Sequence, residues 1–155
     1  MSPLPSQPRG MYFEEFQAGQ KILTAGRTVT ESDIVSFAGL SGDFNQIHVD
    51  HEYSKNSPFK QRVAHGLLGL SIISGLAVQT GVMEGTVIAF REINEWKFIA
   101  PVFIGDTIQA ELTVLETRDL RRLGGGAVSI DIEAKKQDGS TVMKGKWTVL
   151  IASRP

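Results

Sequence analysis

GLLGLSIISGLAVQTGVM, residues 66–83, is the stretch on which the fold turns: it runs without a single charged side chain. Its length is at the lower limit for a membrane-spanning helix. Ser71, Ser74, Gln79 and Thr80 interrupt it, however, and no basic cluster anchors its ends. It therefore reads as a helix inside a soluble fold, and apolar residues on all sides imply burial on all sides. The small residues Gly69, Ser71, Ser74, Gly75 and Ala77 allow other backbone to approach closely, and Gly81 and Gly85 bracket its end.

Beyond this helix the period changes to two. Segments 86–100, 107–119, 126–137 and 141–152 are rich in β-forming residues. Ile108, Ala110, Leu112 and Val114 alternate with Gln109, Glu111 and Thr113, as a half-buried strand requires. Asp138-Gly139 marks a hairpin. Segment 118–126, with Arg121, Arg122 and three glycines, reads as a flexible basic loop. It lacks the strand–glycine–helix context and the lysine of a phosphate-binding loop.

Before the helix, segment 20–29 has strand-like content with imperfect alternation. Thr30-Glu31-Ser32-Asp33 resembles a capping box with Asp in place of Glu, and it starts a helix that Gly39 and Gly42 end. Asp50 is a second N-cap, for a short helix stopped by Pro58. The order is strand, helix, loop, long buried helix and four strands. It predicts an α+β domain in which a largely antiparallel sheet wraps one apolar helix. Residues 1–10 hold three of the six prolines and read as a flexible leader, with the domain spanning 11–155.

At 155 residues, 41% hydrophobic and 21% charged, the composition is that of an ordinary soluble domain. A net charge of −1 gives no basis for nucleic acid or anionic membrane as the main partner. The absence of cysteine removes disulfides, thiol nucleophiles and Cys-ligated metals, and fits a cytoplasmic location.

The chemistry-bearing residues crowd just before the apolar helix: Asp43, Asn45, His48, Asp50, His51 and His65. A carboxylate and an imidazole converging on one water, as Asp43 and His48 would, form a general acid/base pair. By spacing alone, Asp43 and Asn45 are equally ordinary turn residues. Gly66 opens the helix, whose first N–H groups lack intrahelical partners and carry positive partial charge, so a carbonyl oxygen placed there would be polarised. Asp50 serves as a cap, His51 faces solvent, and His65 caps or packs. His48-Val49-Asp50-His51 matches no metal motif, and no metal is expected. No Gly-x-Ser-x-Gly elbow supports a serine hydrolase.

Gly42-Asp43-Phe44-Asn45-Gln46-Ile47-His48, preceded by Phe37-Ala38-Gly39-Leu40-Ser41, closely resembles the signature of the MaoC-like dehydratases and R-specific enoyl-CoA hydratases, Gly-Asp-x-Asn-Pro-aliphatic-His. Arg62-Val63-Ala64-His65-Gly66 resembles the next block of that family, and the likeness extends over about residues 11–151. Gln46 departs from the usual proline, which loosens the loop but removes no catalytic group. The resemblance implies a hotdog fold, an acyl-CoA thioester substrate, and a homodimer or larger homo-oligomer with the site at the subunit interface. It implies no cofactor beyond the coenzyme A of the substrate. The reaction implied is reversible hydration of a trans-2-enoyl-CoA to the R-3-hydroxyacyl-CoA. Carried over, Asp43 and His48 activate the water, the Gly66 N–H receives the thioester oxygen, and Asn45 supports the loop. Ile72, Ile73 and Leu76 are candidates for the wall of an acyl tunnel.

Two rivals share the scaffold. An acyl-CoA thioesterase needs a carboxylate and an oxyanion donor too. A non-catalytic acyl-CoA-binding or partner subunit would be expected to lack Asp43 or His48, and both are present.

Overall fold

The computed structural model describes residues 9–155. The expected leader falls almost wholly outside them. Of its last two residues, Arg9 pairs with Glu84, and the Gly10 N–H donates to the Glu84 carbonyl at 2.9 Å.

Among the described residues six strands form one sheet: β1 (Lys21–Leu23), β2 (Arg27–Thr28), β3 (Val87–Phe98), β4 (Thr107–Leu120), β5 (Gly125–Lys136) and β6 (Thr141–Ala152). The order is β1-β4-β5-β6-β3, with β2 also paired to β4, and every pairing is antiparallel. The helices are α1 (Glu31–Ser41), α2 (Gln46–Val49), α3 (His51–Lys55) and α4 (Gly66–Gln79). The alternation expected for β4 holds. Ile108, Ala110, Leu112 and Val114 point inward, and Val128, Ile130 and Ile132 of β5 join them against Leu68, Ile72, Ile73 and Leu76 of α4. Each Val, Leu or Ile among them, once buried, contributes roughly 1.5–3 kcal/mol. The sheet therefore wraps α4, as expected. Among the described residues, no helix is long and apolar enough to cross a membrane.

Three expectations need correction. Segment 20–29 is two short strands, because Thr24 breaks the ladder: its hydroxyl accepts the Ala110 N–H at 3.0 Å in place of a backbone carbonyl. The basic loop at 118–126 is mostly strand, reduced to a 3-10 turn at Arg121–Leu123. Gly125 and Gly126 stay in β5 because they leave room for the Ile151 backbone and the Phe13 ring, which any Cβ would strike. Finally, α4 is not covered on all sides. Leu67, Ser71, Gly75 and Val78 form an open stripe, with Leu67 60% and Val78 51% exposed.

Among the described residues β3 is an edge strand, bonded only to β6, and it exposes Val87, Ile88, Phe90 and Ile93. Its ladder with β6 is irregular at Val87/Ala89, Phe90/Glu92 and Asn94/Lys97, and Glu95 lies at φ +52°. The connection from β3 to β4 is pinned by Asp106. Its carboxylate accepts from Phe103 N–H at 2.8 Å, Gln137 Nε2 at 2.8 Å and Lys136 Nζ at 3.0 Å.

Candidate active site

The loop between α1 and α4 is built from side-chain caps. Thr30 and Asp33 form the expected reciprocal box at the start of α1, and Gly42 ends that helix in the left-handed region at φ +80°, where a side chain would be strained. This turn sends Asp43 away from α1. The Asp43 carboxylate accepts the Asn45 N–H at 3.1 Å, and the Asn45 side chain accepts the Ile47 N–H at 3.3 Å, capping α2. Asp50 caps α3 through Tyr53 N–H at 2.8 Å, as expected. Asn45 thus sets the one-turn helix that carries His48.

His48 is 8% exposed. Its Nδ1 lies 2.7 Å from the Val63 carbonyl oxygen. A carbonyl oxygen only accepts, so Nδ1 carries the proton. Neutral His48 therefore presents the Nε2 lone pair toward Asp43 Oδ2, 3.9 Å away. Val63 is itself fixed: its N–H donates to Ile47 O at 3.1 Å, and it bridges to Phe103. Burial pushes the His48 pKa down. The Val63 carbonyl and Asp43 oppose that, His65 adds to it, and the result lies below the ordinary histidine value. From behind, the Arg62 guanidinium donates Nε–H to the His48 carbonyl at 2.7 Å and Nη1–H to Glu31.

His65, read from sequence as a cap or packing residue, makes no cap bond. It is 3% exposed and lies ring-on-ring with His48, centroids 3.8 Å apart and planes 25° apart. No local sequence pattern signals this contact; only the two chain entries, into α2 and into α4, bring the rings together.

A cavity of about 480 Å³ opens beside these rings, a size that suits a small ligand. His48, His65 and Gly66 supply its polar side, and Phe59, Phe98, Val102 and Met143 are among its apolar walls. The Gly66 N–H, first in α4, has no acceptor among the described residues. The structure thus gathers His48 and Gly66 on one cavity, with Asp43 at His48, while His51 is exposed as expected. The tunnel-wall expectation does not hold for this cavity. Only the first turn of α4 reaches it: Ile73 is fully buried in the core, and Ile72 and Leu76 border a separate groove with Phe37 and Leu40. Phe98 and Met143 come from distant strands and went unread in the sequence.

Ligand atoms of Asp43, His48 and His65 lie within 4.8 Å of one another, close enough for a metal to be considered. Ring lone pairs lie in the ring plane, so two stacked imidazoles aim theirs side by side rather than at one point. One nitrogen of each ring is also committed to a carbonyl. The donor set therefore does not fit an ion shared by all three.

A MaoC-like domain model matches residues 15–136. The chain is 34% identical over 143 residues to an (R)-specific enoyl-CoA hydratase of Rhodospirillum rubrum, covering 92% of this chain and 93% of that protein. It is 47% identical over 106 residues to Protein MaoC of Klebsiella aerogenes, covering 68% of this chain but only 31% of that longer protein. A solved Archaeoglobus structure, described as a monoamine oxidase regulatory protein, superposes with a TM-score of 0.87 at 40% identity, over 94% of this chain and 97% of that one. Sequence match and shared architecture agree along nearly the whole domain, and the chain belongs to the MaoC-like domain family.

Proposed function

We propose that this protein is an R-specific enoyl-CoA hydratase, adding water reversibly to a trans-2-enoyl-CoA to give the R-3-hydroxyacyl-CoA. The observation that carries the reading is the 3.9 Å separation of two acceptors, His48 Nε2 and Asp43 Oδ2. Two acceptors facing each other do not bond directly, but a water between them donates one hydrogen to each. Its oxygen then attacks Cβ while the pair takes one proton. The electrons of the double bond move toward the thioester, and the negative charge develops on its oxygen. The Gly66 N–H, at the positive end of α4, is the donor for that oxygen. The pair returns a proton to Cα, completing the addition of H and OH. Asp43 and His48 share this proton as one coupled unit. Asn45 supports them by capping α2. Coenzyme A enters as part of the substrate, and no metal takes part.

The functional unit is a homodimer or larger homo-oligomer, with acyl-CoA bound at the junction. The open stripe of α4 and the unpaired apolar edge of β3 support this, since a second copy would cover both.

The test is hydration of crotonyl-CoA, followed as loss of enoyl-thioester absorbance, with chiral analysis of the product. Asp43→Asn and His48→Ala should each lower the rate by at least about 100-fold. Wild-type rates in folded variants would remove the assignment. A thioesterase would instead release free thiol from a saturated acyl-CoA.

A further inference from the structure

We propose that His65 is a positioning residue of this site, holding Asp43 by its backbone carbonyl and backing the His48 imidazole with its own ring. The catalytic consequence rests on the hydratase reading; the geometry does not. His65 Nε2 lies 2.9 Å from the Asp43 carbonyl oxygen. Because that oxygen only accepts, Nε2 carries the proton. Nδ1 is left as a lone pair, buried and without a partner among the described residues. The ring is wedged between two others: His48 on one face, and Phe37 edge-to-face at 4.9 Å and 61°. His65 is therefore held in plane by packing and in rotation by one hydrogen bond.

The other bonds of Asp43 among the described residues are local: its N–H donates to Ser41 Oγ at 3.1 Å and its carboxylate accepts the Asn45 N–H, while its side chain is half exposed. The His65 N–H adds a long-range tie from Asp43 itself to the start of α4. The same residue precedes Gly66, so one backbone position links the water-binding pair to the oxyanion donor. Stacked on His48, the His65 ring also helps to hold the His48 pKa down. The charged or titratable groups around His48 are the Asp43 carboxylate, the His65 ring and the Arg62 guanidinium on the His48 carbonyl.

The experiment compares wild type with His65→Phe and His65→Gln, with folding checked by circular dichroism. It has two readouts. In crotonyl-CoA hydration, His65→Phe keeps a flat ring against His48 but offers Asp43 no donor. Its kcat should fall by about 10- to 100-fold with little change in KM. His65→Gln, which carries an amide donor, should recover part of that loss. In NMR titration of the His48 ring nitrogens, without substrate, the midpoint should move to higher pH in both variants. A wild-type kcat in His65→Phe, or an unmoved His48 titration in both variants, overturns the proposal. If wild type itself does not hydrate crotonyl-CoA, the hydratase reading fails, while the NMR titration still decides the role of His65.

Discussion

The ring of Phe98 rests on Gly66, so closely that a Cβ added to Gly66 would come within 2.9 Å of it. The first turn of α4 is bare there because β3 lays an aromatic side chain across it. Gly66→Ala should push the ring or the helix end aside, lowering kcat by about 10- to 100-fold and stability by about 1–3 kcal/mol. Phe98→Ala in the same chain should restore part of both, because Phe98 is half exposed and its removal frees the space. Steady-state kinetics and thermal melts of the double-mutant cycle measure this coupling.

His48 makes stability fall on the acid side. Its pKa is lowered in the folded protein, chiefly by burial, against an unfolded value of about 6.5. Above that value both states hold the ring neutral. As pH drops below it, the unfolded chain takes up the proton first, and stability is lost until the folded pKa is passed. Urea titrations at about pH 7.5 and about pH 5.5 should show a smaller acid loss in His48→Gln than in wild type. The same protonation removes the Nε2 acceptor, so the acid limb of hydration should lie below the ordinary histidine range.

Arg62 braces His48 from the backbone side. Its side chain is only 10% exposed, whereas that of its partner Glu31 is 64% exposed. Arg62→Met should cost about 1–3 kcal/mol in urea unfolding and about tenfold in kcat. Glu31→Gln, which changes only the wet end, should cost under about 1 kcal/mol.

Oligomerisation gives a separate check. Val78 is half exposed on the open stripe of α4. Val78→Lys should leave the subunit folded but shift sedimentation from dimer toward monomer, with hydration lost in parallel. A wild-type chain that sediments as an active monomer would contradict the interface reading.

What could be read in the sequence was whatever is local. Thr30 with Asp33, Asp50 with Tyr53 and Asp138-Gly139 act within a few residues, and each lies where its chemistry placed it. The alternation in β4 and the uncharged run at α4 fixed which faces meet. The His48–His65 stack was not legible, because the two residues lie 17 positions apart and meet only once α2 and the start of α4 are packed together. The cavity walls were hidden for the same reason: Phe98 and Met143 reach the first turn of α4 from different strands. The open stripe of α4 contradicts the expectation of all-round burial because apolar composition does not say which faces the rest of the fold can reach.

The irregular ladder of β3 has a consequence for the isolated subunit. An exposed edge of twelve residues that carries Val87, Ile88, Phe90 and Ile93 would template fibrils if it formed a flat, continuous row of free amides and carbonyls. Three interruptions and the positive φ of Glu95 twist that row, so like strands cannot stack along it indefinitely. The exposed edge of β3 is thereby shaped against amyloid growth.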